Sequence, residues 1–300
     1  MKRLAVSGAT GFVGGHLSRW LPSQQCVAQP LSRAMIGSAD LPVALRGMDA
    51  VIHLAARAHR LRDAATDPAR EFHEVNVGIT RVMAQACVSA GVKRFVFVSS
   101  AGVLGSRSPT DGFTDASSAA PHDDYTRSKL AAEQMLTTEF GGRLEVVILR
   151  PPMVYGPGAP GNFDRILKAV LTGFPLPLGG LRAPRSLISV RNLCDVMLRA
   201  ATCSSVEARP MLVSDREVTS VAELAAAIAE AVGRRNRGFI VPPSMLSAAL
   251  KLAGRSGDLH RLLEPFVLRG SLACSSLGWS PEFEFAHELE WTVRATGRGV

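Results

Sequence analysis

The 300-residue chain predicts an α/β fold, a doubly wound parallel sheet followed by a smaller mixed C-terminal domain. Three observations carry that expectation. Short β-type runs alternate with longer helical stretches, the pattern of βαβ units. A glycine-rich turn at Gly8, Gly11 and Gly14 falls between the first strand and the first helix. Composition then shifts after Arg150, with prolines and glycines crowded between Pro151 and Pro184.

The strands, in order, are Leu4–Ser7, Cys26–Leu31, Ala50–Leu54, Arg94–Ser99, Glu145–Arg150 and Ser186–Val190. Each is a short apolar run bounded by turn residues or charge. Helical spacing fills the gaps between them, most clearly at Val75–Ala90 and Tyr125–Phe140. The proline-rich stretch reads as loops around one helix, Asn162–Thr172, and Ser186–Ala201 is expected to return to the main sheet. Beyond Thr202 come a strand-like Pro210–Ser214, a helix near Val221–Val232, a short run Phe239–Val241 and a helix near Ser244–Ala253. Residues 1–155 with about 185–202 are thus expected to form a dinucleotide-binding domain. Residues 156–184 and 203–300 then form a substrate-binding domain.

Composition narrows the function. Apolar residues at 47% and charged residues at 20% are globular values, which set aside disorder. No apolar run approaches the ~18 residues of a membrane span. The first apolar run, Leu4–Val6, is too short for a signal-peptide core, so a cytoplasmic location is expected. The five scattered cysteines offer no C-x-x-C pair; reduced, buried thiols are expected and no metal site. A formal charge of +8 is spread along the chain, with Arg234, Arg235 and Arg237 as its tight cluster. That distribution favours an anionic small ligand over nucleic acid.

The glycine turn reads Gly8-Ala9-Thr10-Gly11-Phe12-Val13-Gly14. Gly8 permits the tight turn, Gly11 lets backbone approach phosphate oxygens, and Gly14 lets helix and strand pack closely. The helix N-terminus then faces a pyrophosphate. After the second strand, Leu31-Ser32-Arg33 lacks the carboxylate that would hold a ribose 2′-hydroxyl. Ser32 and Arg33 can receive a 2′-phosphate instead, so NADP stands beside NAD as cofactor.

Tyr125 and Lys129 are four residues apart on a predicted helix and share a face. A cation nearby favours phenolate, so Tyr125 is expected to carry a lowered pKa and act as acid/base. Ser100, just past the strand Arg94–Ser99, sits where active-site loops leave an open parallel sheet.

These motifs together resemble the extended short-chain dehydrogenase/reductases, in the branch of NAD-dependent epimerases and dehydratases acting on nucleotide sugars. The matching residues are Gly8–Gly14, Asp40-Leu41, His53-Leu54-Ala55-Ala56, Asn76-Val77, Ser99-Ser100, Tyr125–Lys129 and Arg150–Gly158. The resemblance implies a Rossmann-type sheet with Ser100, Tyr125 and Lys129 as the catalytic set. It implies a cofactor surface of Gly8, Thr10, Gly11, Phe12, Val13, Gly14, Ser32, Arg33, Asp40, Leu41, Leu54, Ala55, Ala56, Asn76, Ser99, Tyr125, Lys129 and Pro152. For the substrate it implies Ser100, Tyr125, Asn162, Arg185, and Arg255 and Asp258 of an R-x-x-D element. A homodimer through the helices Val75–Ala90 and Tyr125–Phe140 is also implied. The chain departs from the family pattern at Gly102, Leu104 and the segment from Leu272 to Trp279.

The function so implied is NAD(P)-dependent redox chemistry at C4 of a UDP-sugar. The missing acidic residue after the second strand leans to a 4-reductase of a UDP-4-keto-6-deoxy-N-acetylhexosamine for surface polysaccharide. A UDP-hexose 4-epimerase is the alternative, and a non-catalytic dinucleotide sensor a more distant one. No nucleic-acid partner and no membrane insertion are expected.

Overall fold

The computed structural model describes residues 1–57, 67–204, 206–235, 237–242, 245 and 263–297. Six parallel strands form the main sheet. In chain order they are β1 (Lys2–Ser7), β2 (Cys26–Leu31), β3 (Ala50–His53), β4 (Arg94–Val98), β5 (Glu145–Arg150) and β8 (Met211–Leu212), and in space they run β2-β1-β3-β4-β5-β8. Every residue of β3 and β4 is buried, as expected of strands covered on both faces.

Alternate residues of each strand feed two separate cores. Leu4, Val6, Ile52, Val96 and Val147 meet Leu17 of α1 (Phe12–Trp20) and Leu193, Val196 and Met197 of α8 (Val190–Thr202). Ala5, Val51, Phe95, Phe97 and Ile148 meet α3 (Leu41–Leu45), α5 (Ile79–Ala90) and α6 (Asp124–Met135) on the other side. Helices on both faces make the sheet doubly wound, as the sequence predicts. Its switch point lies between β1 and β3, whose carboxyl ends are Ser7 and His53.

Two helices run differently from their sequence pattern. The expected Val75–Ala90 helix starts earlier, at α4 (Pro68–His73), and reaches α5 through a π-helical turn at Glu74–Gly78. Asp67 caps it by accepting from the Arg70 amide, and Pro68 fits the first turn, so the start signal precedes the apolar period. The Tyr125–Phe140 segment is α6 followed by a second π turn at Leu136–Phe140.

The segment Ser186–Val190 does not join the main sheet. As β7 (Arg185–Ser189) it pairs in parallel with β6 (Met153–Tyr155) and antiparallel with β9 (Val218–Thr219). The sixth main-sheet strand is β8, from the stretch Pro210–Ser214. Pro151-Pro152 ends β5, because proline gives the ladder no N–H, and turns the chain into β6. The edge β7 needs is therefore in the small sheet, while α8, directly after it, still packs on the main one.

The small sheet packs with α7 (Asn162–Leu171), α9 (Val221–Ala231), and α11 (Phe285–Arg294), around Tyr155, Phe163, Leu187, Ile228 and Leu289. A short helix, α10 (Leu272–Leu277), precedes α11 and covers the first core. Tyr155 donates to Asp215 at 2.9 Å, and Asp215 also accepts from the Ser189 amide and from Asn192. Burial holds the Asp215 carboxyl up at about 7 despite those donors. The expected helix near Ser244–Ala253, apart from Met245, lies outside the described residues. Of the cysteines, Cys26, Cys87 and Cys194 are buried, but Cys203 is half-buried and Cys274 exposed.

α6 is fastened to β5 by a buried fork, Arg150 to Glu133 at 3.0 and 2.5 Å. Removing one member of such a pair strands the other charge. Glu133→Leu is therefore expected to cost about 3–5 kcal/mol in denaturant unfolding. The double variant Glu133→Leu/Arg150→Met is expected to return most of that loss; a double variant as unstable as the single one contradicts the assignment.

Candidate active site

The glycine turn is shaped by contacts that leave no room for side chains. Gly8 has φ +70°, and a Cβ there would lie 2.8 Å from the Ala55 amide nitrogen. A Cβ on Gly14 would fall 2.2 Å from the Gly8 carbonyl oxygen. Gly11 precedes α1 with no side-chain cap, so the first-turn N–H groups of that helix stay available to an anion. Thr10, Phe12 and Val13 lie on the same turn.

A buried polar chain ties this turn to the end of β3. Ser7 Oγ meets His53 Nδ1 at 2.7 Å and accepts from the Leu54 and Ala55 amides. His53 Nε2 meets Thr80 Oγ1 at 3.0 Å, and Thr80 donates to the Asn76 carbonyl. Desolvation drives the His53 pKa down to about 3, with Lys129 nearby adding to it, so the ring stays neutral. Leu54, Ala55 and Ala56 are thereby held half-exposed facing Gly8.

Asn76 is almost wholly buried and spends its amide internally. It accepts from the Arg57 N–H at 2.7 Å, donates to the Arg57 carbonyl, and donates to Ser128 Oγ at 2.8 Å. Ser128 in turn donates to the Tyr125 carbonyl. Asn76, expected on the cofactor surface, thus joins the loop after β3 to the helix bearing Tyr125.

Of the residues expected at the adenosine end, Ser32 caps the short helix α2 (Arg33–Ile36) by accepting from the Met35 amide at 3.1 Å. Arg33 and Asp40 are exposed beside it. Leu41 is 1% exposed and belongs to the core, so its side chain serves packing.

Tyr125 and Lys129 share one face of α6, as their spacing predicts. Lys129 is buried, donates to the Val98 carbonyl at 2.8 Å and lies 4.6 Å from the centre of the Phe97 ring. Desolvation lowers its pKa to about 8, against a smaller opposing pull from Glu133. Tyr125 departs from the expected depression. Burial, then Asp123, pushes its pKa up to about 12, so the phenol is protonated at neutral pH. The Lys129 ammonium is spent on the Val98 carbonyl at the strand end.

Ser100 and Tyr125 open into one cleft of about 350 Å³, with Asn162, Arg185 and Pro152 on its other walls. Ser100 accepts from the Gly102 amide at 3.1 Å. Next to it Ser99 is buried, and its hydroxyl has no partner among the described residues. Asn162 opens α7 behind an uncapped Gly161, at the end where helix amides receive an anion. Arg185 donates to the Glu264 carbonyl at 2.9 Å, while its Nε is buried without a partner among the described residues. Desolvation lowers the Arg185 pKa. Arg255 and Asp258 lie outside the described residues.

The cleft also contains Met153, from the matching stretch Arg150–Gly158, and residues that motif reading passes over: His122, Asp123 and Phe266. His122 and Asp123 approach to 3.5 Å, and Asp123 caps α6 by accepting from the Thr126 amide at 2.8 Å. The signal was present, since an acidic residue two positions before Tyr125 starts a helix there. Gly102 leaves space between these groups: a Cβ would lie 2.9 Å from Thr126 Cγ2 and 3.3 Å from Ser100 Oγ.

The orphaned Ser99 hydroxyl and the glycine cradle that a Cβ would fill both fit a bound dinucleotide. The unpartnered Arg185 nitrogen and the α7 amides fit a diphosphate on the opposite wall.

The model of the NAD dependent epimerase/dehydratase family matches residues 4–211. A Vibrio cholerae protein named UDP-glucose 4-epimerase is 33% identical over 98% of this chain and 95% of its own. The solved structure of MoeE5 in complex with UDP-glucose and NAD is similar at 25% identity, with TM-score 0.79 and 99% of each chain covered. A UDP-N-acetylglucosamine 4-epimerase from Bacillus cereus shares the fold at 21% identity and TM-score 0.79, covering 100% of this chain and 98% of that one.

The depressed Lys129 pKa has a measurable consequence. Between pH 8 and 10.5 the unfolded chain binds this proton and the folded chain does not, so stability rises with pH there. Lys129→Met lacks that rise. Its stability relative to the parent is expected to fall by on the order of 3 kcal/mol between pH 7 and the upper end of the window. Chemical denaturation across that range measures it, and a constant difference contradicts the buried, ionised lysine.

Proposed function

The chain belongs to the NAD dependent epimerase/dehydratase family, and we propose that it carries out redox chemistry at C4 of a UDP-linked sugar. The observation that carries the reading is the meeting of Ser100 and Tyr125 in one cleft, with Asn162 and Arg185 opposite. Gly8, Thr10, Gly11, Phe12, Val13 and Gly14 would hold the NAD or NADP pyrophosphate. Leu54, Ala55, Ala56, Ser99 and Pro152 would line its inner half, and Ser32, Arg33 and Asp40 its adenosine end. NAD, when bound, accepts and returns a hydride; the chain's part is to hold the sugar and move one proton.

Ser100 hydrogen-bonds the C4 oxygen and fixes it beside the Tyr125 hydroxyl. As C4 is oxidised the hydroxyl proton passes to Tyr125; as the ketone is reduced Tyr125 gives it back. A phenol at about 12 is a ready donor and a reluctant base. The base direction therefore needs positive charge beside the ring. Lys129 contributes part of it from the same helix face, and an oxidised nicotinamide supplies more. Arg185 and the α7 amides hold the diphosphate so that C4, not another carbon, reaches Ser100.

Two versions of this chemistry share the site. The V. cholerae relative favours 4-epimerisation, in which the keto sugar turns over before reduction. The absence of a carboxylate after β2, with Arg33 exposed in its place, favours an exchanging NADPH and a 4-keto reductase. Incubation with UDP-glucose or UDP-N-acetylglucosamine without added cofactor, and with a UDP-4-keto-6-deoxy sugar plus NADH or NADPH, separates them. Interconversion marks the epimerase; cofactor oxidation confined to the keto sugar marks the reductase.

In either version Tyr125→Phe is expected to lower kcat by about 10²–10⁴ while substrate affinity changes little. A variant with parental kcat sinks the acid/base role and revives a non-catalytic sensor.

A further inference from the structure

We propose that a basic, apolar-rimmed groove at the far end of the small domain is a docking surface for an anionic lipid bilayer. The groove encloses about 820 Å³ and shares no residue with the catalytic cleft. α7 links the two: Asn162 at its start lines the cleft, whereas Val170 and the following Thr172 line the groove. Ten residues of α-helix put about 15 Å between them.

Four arginines, Arg182, Arg234, Arg235 and Arg237, stand exposed around this groove. None forms an ion pair among the described residues. Arg234 donates to the Leu171 carbonyl at 2.7 Å, and Arg182 to the Gly179 carbonyl at 3.3 Å. The carboxylate in the groove wall, Glu223, is engaged in its own capping box, accepting from the Ser220 amide at 2.8 Å. Among the described residues the positive charge in the groove wall is therefore largely uncompensated, in a chain whose formal charge is already +8.

Apolar side chains stand out into solvent at the same place. Phe174 is 73% exposed and Ile240 70%, and both line the groove, with Phe239 next in sequence at 46%. Folding has no use for such exposure. Single exposed apolar residues are ordinary, but several gathered on one patch and ringed by exposed arginines match a membrane interface. The guanidinium groups can reach lipid phosphates while the phenyl and sec-butyl groups enter the acyl boundary. A protein partner would be better met by a flat apolar patch; this one has a charged rim and separate projecting anchors. Charge complementarity thus favours the anionic bilayer. No described helix is long and apolar enough to cross a membrane, so the contact is peripheral.

The test is flotation of the purified full chain with vesicles of phosphatidylcholine alone or mixed with phosphatidylglycerol, at low and high salt. The expected result is capture by the mixed vesicles only, weakened by salt. Arg235→Glu/Arg237→Glu, at positions without side-chain bonds among the described residues, is expected to weaken capture roughly 30-fold or more. Phe174→Ser/Ile240→Ser is expected to weaken it several-fold and leave the salt dependence in place. Circular dichroism melts of both variants report that they fold. Equal binding to neutral vesicles, parental capture of the charge-reversed variant, or retention on heparin without vesicle capture each overturns the proposal.

Discussion

One buried ammonium group sets the terms for the active-site half of this molecule. Lys129 donates to the last carbonyl of β4 and lies against the Phe97 ring, so a helix charge is fixed to a strand end inside the protein. Burying it is costly, as its lowered pKa records. The surroundings make that position hard to leave. One residue before it, Ser128 is held by Asn76; one turn later, Glu133 forks onto Arg150. Three consecutive anchor points fix α6 in rotation and height, and Tyr125, one turn before Lys129, inherits that precision. A helix held only by apolar contacts could slide by fractions of a turn, since such contacts are non-directional.

The second constraint is the narrow gap at the switch point. β1 and β3 end side by side, and Gly8 and Ala55 approach so closely that only glycine fits. The Ser7–His53–Thr80 chain keeps this junction polar but fully bonded, with the histidine neutral. Asn76 then carries the same network across to α6. The glycine turn and the helix bearing Tyr125 are therefore two ends of one hydrogen-bonded unit. A change at Asn76 or Thr80 would disturb both without touching either ligand.

Much of this was legible in the sequence because it rests on local rules. The turn at Gly8, Gly11 and Gly14 announces itself by spacing, and Tyr125 and Lys129 by a helical period of four. What escaped was set by tertiary geometry. Nothing local shows that β7 leaves the main sheet, since β-type runs carry no label for their partner; the decisive signal was Pro151-Pro152 ending β5. The pKa of Tyr125 departs from its pattern for the same reason. Four residues of separation put Lys129 on the same face but do not aim its ammonium, and burial with Asp123 raises the phenol. His122 entered the cleft through the irregular approach to α6, where no periodicity marks it.

The atoms left unsatisfied show where binding energy is still to be gained. Most buried polar groups among the described residues are bonded, even Tyr155, whose hydroxyl finds Asp215 in the small-domain core. Ser99 Oγ and Arg185 Nε are, with Ser18 Oγ, among those that are not; Ser99 follows β4 and Arg185 opens β7 in the wall of the cleft. Each carries a desolvation penalty that a ligand oxygen would remove. Ser99 fits a dinucleotide and Arg185 a diphosphate on the opposite wall, so the two orphaned atoms face two different ligands. On the proposed function a nucleotide sugar would answer the second of these, with its diphosphate at Arg185 and its hexose toward Ser100. Under that proposal α7 and β7 would set which carbon is oxidised, and α6 would set how.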